Sequence, residues 1–124
     1  MIRNFIVAAI VAGASTLSVK ADDRSGKFEG RSDHITTGEV KIVKTATGPV
    51  VLLASDFSLD GAPDPKVGFG SNGEFDKGSI LGPLRSIRGL QAYAVPAEIE
   101  PSSYNEVYIW CEKFAVPLGV ATLD

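Results

Sequence analysis

Short apolar segments separated by glycine and proline are the feature that most constrains how this chain can fold. The 124 residues include 13 glycines and 7 prolines. Beyond residue 21, no window shows a 3.6-residue hydrophobic period of helical length, whereas apolar runs of strand length recur about every 8–12 residues. This pattern predicts an all-β domain, either a small antiparallel β-sandwich or a partly open barrel.

The clearest strand signals lie in the first and last thirds of the domain. Residues 39–44 alternate between apolar and polar side chains, and residues 50–54 form a continuous apolar run. The turn formers Thr47-Gly48-Pro49 separate the two segments, so they predict a β-hairpin. Residues 106–111 give the strongest strand signal of the chain, and residues 114–123 are predicted to follow as the last strand.

The N-terminal residues are typical of a signal peptide. A short basic start, residues 1–4, precedes an apolar run over residues 5–14, and Val19-Lys20-Ala21 places small side chains before a cleavage point. We therefore expect residues 1–21 to be removed and the protein to be exported, to the periplasm or outside the cell. Residues 22–25 are expected to be a flexible lead to one domain, residues 26–124. No later stretch is long and apolar enough to span a membrane.

The charge of the expected mature chain argues against nucleic acid as a partner. Its ten basic and fifteen acidic residues give a formal net charge of about −5. Motifs for a catalytic serine or a phosphate-binding glycine loop do not occur in the sequence, and whether the protein is an enzyme stays open.

Cys111 is the only cysteine of the chain. In an oxidising compartment an unpaired cysteine is a free thiol, a ligand, an intermolecular bridge or a buried small hydrophobe. The protein is accordingly expected to be a monomer or a Cys111-linked dimer. On a strand, Val107, Ile109 and Cys111 share one face while Tyr108 and Trp110 share the other. Both faces are apolar, so the sequence does not decide which of them is the core.

Four blocks of residues carry a resemblance to a known family. They are similar to the DM-thirteen family, often described as an electron-transfer domain, over about residues 26–123, with Ala62 in place of a usual glycine. The blocks are Gly26-x-Phe28 with His34 and Gly38, Asp56-Phe57 with Ala62-Pro63-Asp64, Gln91-x-Tyr93-x-Val95-Pro96, and Tyr108-Ile109-Trp110-Cys111 with Phe114, Val116 and Gly119-Val120-Ala121.

The resemblance implies a β-rich, extracytoplasmic domain whose cysteine serves redox chemistry. It assigns that role to Cys111, as a naked thiol or as a ligand to a prosthetic group such as haem. His34, the only histidine, is a candidate second haem ligand, although a turn histidine bonded to its neighbours is the competing interpretation. Relatives often share chains with other domains, whereas the domain is expected to stand alone here, so the resemblance implies that any redox partner is a separate protein.

Two functions from different classes follow from the sequence. The first is an exported accessory electron-transfer domain that acts through Cys111, with Cys111 and His34 as the candidate cofactor-binding residues. The second is a non-catalytic extracytoplasmic binding module in which Cys111 only fills space in the core. No metal site is expected, because Asp56, Asp60 and Asp64 are better explained as turn residues that bond to nearby backbone amides.

Overall fold

The structure is a computed structural model that describes residues 23–124, and it confirms the all-β prediction. No α-helix occurs within the described residues, and two short 3-10 turns lie at Lys77–Ser79 and Pro101–Ser103. The strands are β1 Arg24–Gly30, β2 Thr36–Thr37, β3 Glu39–Thr45, β4 Gly48–Leu53, β5 Ser58–Leu59, β6 Pro65–Ser71, β7 Glu74–Phe75, β8 Gly82–Pro83, β9 Gln91–Ala94, β10 Glu106–Cys111 and β11 Val116–Thr122.

One antiparallel sheet curls into a half-barrel and contains most of these strands. Its order is β7-β6-β10-β11-β1-β3-β4-β9, with β8 paired to β6 beside β7. Strands β2 and β5 form a separate two-stranded sheet. Of the two predicted architectures, the partly open barrel is therefore the one that describes the molecule.

The predicted hairpin of residues 39–54 is confirmed as β3 and β4. Val40 pairs with Leu53 and Ile42 with Val51, so the apolar side chains of both strands point to the same side. All four are buried in the core. The turn closes at Gly48, whose φ of 124° lies in the region that favours glycine.

Strand β1 begins earlier than the sequence pattern suggests. Arg24 pairs with Ile42 and Ser25 with Lys41, so the second half of the expected flexible lead, residues 22–25, lies in a strand. The physical reason is that β1 fills the position between β3 and β11, where its backbone hydrogen bonds complete both ladders. The expected signal peptide, residues 1–21, lies outside the described residues and stays a prediction.

A strap, defined here as residues 84–90, connects β8 to β9 and forms a bridge to β5 between Arg88 and Ser58. The backbone N–H of Arg85 donates to the Tyr93 hydroxyl at 3.0 Å, and its guanidinium lies 4.2 Å from the centre of the Tyr93 ring. The same guanidinium donates to the Ala92 carbonyl oxygen. The strap therefore covers an edge strand whose outward carbonyl would otherwise be unpaired.

Strand β10 lies between β6 and β11 and is buried on both faces. Val107, Ile109 and Cys111 point into the core, which settles the orientation that the sequence left open. Tyr108, on the opposite face, is only 2 % exposed, and the Phe75 ring lies against it. In residues 23–124 the structure contains no helix that is long and apolar enough to cross a membrane.

Two glycines of β6 make room for that aromatic cover. A Cβ atom on Gly70 would lie 2.5 Å from Cε1 of Tyr108 and 2.3 Å from the carbonyl oxygen of Glu74. A Cβ atom on Gly68 would lie 2.9 Å from Cε1 of Phe75. All three distances are shorter than van der Waals contact, so the ring positions depend on these glycines.

We expect Gly70→Ala to lower the free energy of unfolding by about 1–3 kcal/mol, because the new methyl group forces the Tyr108 ring and the β7 backbone apart. Urea unfolding followed by tryptophan fluorescence measures this loss. The matched control is Gly78→Ala, whose Cβ would meet only Oδ1 of Asp76, at 3.3 Å. Equal stability of the two variants would show that the packing at Gly70 is not as tight as described.

Candidate functional site

Cys111 is the last residue of β10, and its side chain lies in the core. The side chain is 1 % exposed and belongs to the hydrophobic cluster that also contains Val107 and Ile109. Its neighbours across the sheet are Pro65 on β6 and Val116 on β11. The thiol is therefore a core group at the very end of a central strand.

Two prolines and a bulge lie beside the end of β10. Pro65 stands opposite Cys111 and Pro117 opposite Trp110. The pairing with β11 shifts register between Ile109 and Trp110, which is a bulge or irregularity. The ladder between β10 and β11 is thus interrupted just before the last two residues of β10.

An ion triad holds this end of the strand. The Lys66 Nζ atom lies 2.6 Å from Glu112 Oε1 and 3.1 Å from Asp64 Oδ1. The backbone N–H of Glu112 also donates to the Asp64 carbonyl at 3.0 Å. The hydrogen bond to Glu112, followed by the one to Asp64, raises the pKa of Lys66. This stabilisation is complete below the ordinary lysine pKa and is lost as pH rises through the raised value.

The turn that follows Cys111 is exposed. It runs over residues 112–115, and Phe114 is 62 % exposed despite being aromatic. Ala115 has a φ of 55°, a conformation that residues with a Cβ adopt at an energetic cost. An exposed turn with one residue at positive φ thus follows the register shift at the end of β10.

The outer face of β10 carries an aromatic cluster, defined here as Phe75, Tyr108 and Trp110. The Phe75 ring stacks on Trp110 with centroids 4.3 Å apart and planes 12° apart, and it lies 5.4 Å from the Tyr108 ring. Trp110 is half-buried, whereas Tyr108 lies beneath the others. The cluster therefore connects a partly exposed indole to a buried phenol.

Glu106 lies beside Tyr108, two residues earlier on the same face of β10. Only 9 % of Glu106 is exposed, and both its carboxylate oxygens accept from the Gly73 N–H, at 3.0 and 3.1 Å. Burial, followed by the negative charge of Glu106 and a hydrogen bond to it, raises the pKa of Tyr108 to about 12. A buried phenol and a buried carboxylate thus lie on the same face of one strand.

Sequence reasoning did not single out Phe75 or Glu106. The Asn72-Gly73 pair, with φ of 55° and 87°, is a two-residue turn that folds β7 back onto β6. That dipeptide is a strong hairpin signal, and it could have placed Phe75 over β6. The contact between Glu106 and the same turn depends on the three-dimensional fold and has no local signal.

His34 lies in a surface turn, where it pairs with a carboxylate. Its Nδ1 atom is 2.8 Å from Asp60 Oδ1, and Asp60 Oδ2 accepts from the Ile35 N–H at 3.0 Å. The hydrogen bond to His34, followed by the one from Ile35, lowers the pKa of Asp60. The turn begins at Arg31, and both Ser32 and Asp33 have positive φ. His34 thus has the environment of a turn histidine. Nε2 is the ring nitrogen that does not face Asp60.

The surroundings of Cys111 do not fit a haem. A haem ligand needs an open face at the sulfur, whereas Cys111 is packed on all sides by core residues and is 1 % exposed. A shallow recess of about 150 Å³ occurs elsewhere, lined by residues that include Arg24, Val43 and Pro101. Within residues 23–124, no three or more His, Cys, Asp or Glu side chains are grouped so as to hold a metal ion.

The Cys111-linked dimer is the expectation that the structure overturns. A standing disulfide between two copies needs a sulfur atom that is reachable in the closed domain, and Cys111 is buried there.

Comparison with known proteins identifies one family. The family model described as electron transfer DM13 matches residues 27–123, which is most of the chain. Comparisons with curated proteins and with solved structures gave no significant match. The matched range covers nearly the whole half-barrel, from β1 to the end of β11, and includes Cys111, the aromatic cluster and His34.

We expect Tyr108 to be the last tyrosine to ionise in the native protein, near pH 12. An unfolded tyrosine has a pKa of about 10. The stability that protonated Tyr108 provides is therefore complete below that pH and is lost as pH rises toward the raised pKa of Tyr108 in the native protein. Spectrophotometric titration of wild type and Tyr108→Phe measures this. If the variant keeps the highest-pH step, the burial of the Tyr108 phenol beside Glu106 is contradicted.

Proposed function

The chain belongs to the electron transfer DM13 family, and we propose that it is an accessory electron-transfer domain that acts through the naked thiol of Cys111. The observation that carries this proposal is the position of the thiol. Cys111 ends a central strand at a corner where the pairing with β11 shifts register and where an exposed turn follows. Local opening of this corner would expose the sulfur without unfolding the domain.

In this proposal the closed fold protects the thiol, and the open corner lets it react. The Cys111 thiolate attacks a peroxide oxygen, which forms a sulfenic acid and releases hydroxide or water, or it attacks a partner's disulfide, which forms a mixed disulfide and releases the partner's thiolate. Because the chain has no second cysteine, reduction of either product needs a thiol from a separate protein. A redox partner is therefore part of the proposal.

Export to an oxidising compartment fits the same mechanism. A permanently exposed lone thiol would be oxidised or paired there, whereas a core thiol reacts only as fast as its corner opens. The apolar segment at residues 5–14 supports export to the periplasm or outside the cell. Burial of Cys111 supports a thiol that is used under control.

We expect native wild-type protein treated with hydrogen peroxide to trap one dimedone molecule at Cys111, because local opening exposes the thiol. Intact-mass spectrometry measures the rate of adduct formation, with Cys111→Ser as the blank. Lys66→Met should speed the reaction, since it removes the ion triad that holds the corner. Lys41→Met, a substitution at an exposed lysine on β3, is the matched control and should leave the rate unchanged.

Adduct formation that tracks global unfolding in urea, with equal rates in the two lysine variants, would refute the opening of this corner. The comparison is informative because both variants lose one surface charge, and only Lys66 contacts the strands beside Cys111.

The second candidate function is a non-catalytic binding module, and one observation favours it. Cys111 is as buried as the aliphatic residues around it, which is the usual environment of a cysteine that serves only as a small hydrophobe. In that case the sulfur contributes packing alone, and binding depends on the outer surface of the domain.

Two substitutions separate the candidates. If Cys111 serves only packing, Cys111→Ala should cost about 1–2 kcal/mol for the lost volume, and Cys111→Ser about 1–3 kcal/mol for a buried hydroxyl without a partner. Both variants would then keep wild-type behaviour in an electron-transfer assay with the native partner. Loss of electron transfer in Cys111→Ala, with the fold retained by circular dichroism, would exclude the packing-only function.

A further inference from the structure

We propose that Tyr108 is a second redox-active group, which loses one electron through Phe75 and Trp110 to an external one-electron oxidant while its phenolic proton passes to Glu106. This inference goes beyond the thiol function and does not depend on Cys111. It rests on three features of the outer face of β10: a shielded phenol, a fixed proton acceptor and an aromatic connection to the surface.

The phenol is shielded from solvent on the outer face of the sheet. Tyr108 is 2 % exposed, and its ring lies against Phe75. The ring also packs closely on β6, because a Cβ atom added to Gly70 would lie only 2.5 Å from Cε1 of Tyr108. The core layer lies on the other side of the same strand. A tyrosyl radical formed here would be protected from water and from other molecules of the protein.

The proton acceptor is fixed before any electron leaves. An oxidised phenol is a strong acid, so oxidation of tyrosine is favourable only where the proton has a base to go to. Glu106 is on the same face of β10, and the Gly73 N–H holds both its oxygens in place. Both side chains are buried, and the negative charge of Glu106 raises the pKa of the Tyr108 phenol.

The aromatic connection ends at the surface. The half-buried indole of Trp110 stacks on Phe75 at 4.3 Å, and Phe75 lies 5.4 Å from Tyr108. An indole can be oxidised by one electron, and a docked acceptor can reach Trp110 because it is half-buried. The three rings therefore give the electron a continuous path of aromatic contacts out of the domain.

The step balances in electrons and protons. The Tyr108 O–H bond breaks, one electron reaches the external oxidant and reduces it, and an O–H bond forms on the Glu106 carboxylate. A neutral tyrosyl radical and a neutral carboxylic acid remain. Electron return from a reduced partner reverses both transfers, so the domain ends unchanged.

The other two tyrosines of the chain lack one of these features. Tyr93 is buried, but its hydroxyl donates to the neutral amide oxygen of Gln91. Tyr104 donates to the carboxylate of Asp76, but that pair lies at the exposed surface. Only Tyr108 combines burial with a carboxylate acceptor, and the chain has three tyrosines and one tryptophan in total.

The test generates a radical and identifies its site. Photogenerated tris(bipyridine)ruthenium(III) serves as the one-electron oxidant, and freeze-quenched samples are measured by electron paramagnetic resonance. We expect wild type to give a tyrosyl signal, Tyr108→Phe to replace it with a tryptophanyl signal, and the matched control Tyr93→Phe to keep it. Glu106→Gln should slow tyrosyl formation on the order of a hundredfold, because it removes the base but keeps the acceptor for Gly73.

The same measurement in Cys111→Ser separates this proposal from the thiol function. A tyrosyl signal that persists there confirms a site independent of the cysteine, whatever the peroxide experiment shows. A tyrosyl signal that survives in Tyr108→Phe, or a rate unchanged in Glu106→Gln, overturns the proposal. Should Tyr108→Phe fail to fold, the Glu106→Gln rate and the Tyr93→Phe signal still decide it.

Discussion

The alternation of side chains along β10 is the constraint on which the rest of this structure depends. Because neighbouring residues of a strand point to opposite faces, one peptide bond places the Cys111 sulfur in the core and the Trp110 indole on the outer face. The pairing of β10 with both β6 and β11 fixes this orientation. A shift of one residue would exchange the two faces, which would expose the thiol and bury the indole.

In the proposed function, the corner at the end of β10 is what lets a buried thiol react. Pro65 and Pro117 stand opposite the last two residues of β10, and the register shifts where the strand ends. The ion triad of Asp64, Lys66 and Glu112 joins β6 to the turn after β10 at the surface. Surface ion pairs are weaker than ladder hydrogen bonds in a packed sheet and are screened by salt. The contact that holds the corner closed therefore weakens as the salt concentration rises.

Much of the fold could be predicted from local patterns, because strands and tight turns leave local signals. The β3–β4 hairpin and the β10 strand follow from alternation, apolar runs and turn residues. Strand β1 could not be predicted in the same way, since Phe28 is its one buried apolar side chain and the rest of its stability comes from pairing with distant strands.

The candidate site was predictable only in part. The identity of Cys111 and the residues that share its face follow from the sequence, but the burial of that face depends on the curl of the sheet. The pairing of His34 with Asp60 and of Glu106 with Gly73 joins residues 26 and 33 positions apart. Such contacts have no local signal. The haem expectation came from family resemblance, and the close packing around the sulfur does not accommodate it.

Native-state amide hydrogen exchange at single-residue resolution tests the central claim most directly. We predict that the amides of Cys111, Glu112 and Val116 exchange through a local opening, with a free energy well below that of global unfolding and nearly independent of urea. The amides of Val107 and Ile109 should exchange only with global unfolding. Equal protection and equal urea dependence in both groups would contradict the account, because Cys111 would then be reachable only in the unfolded chain.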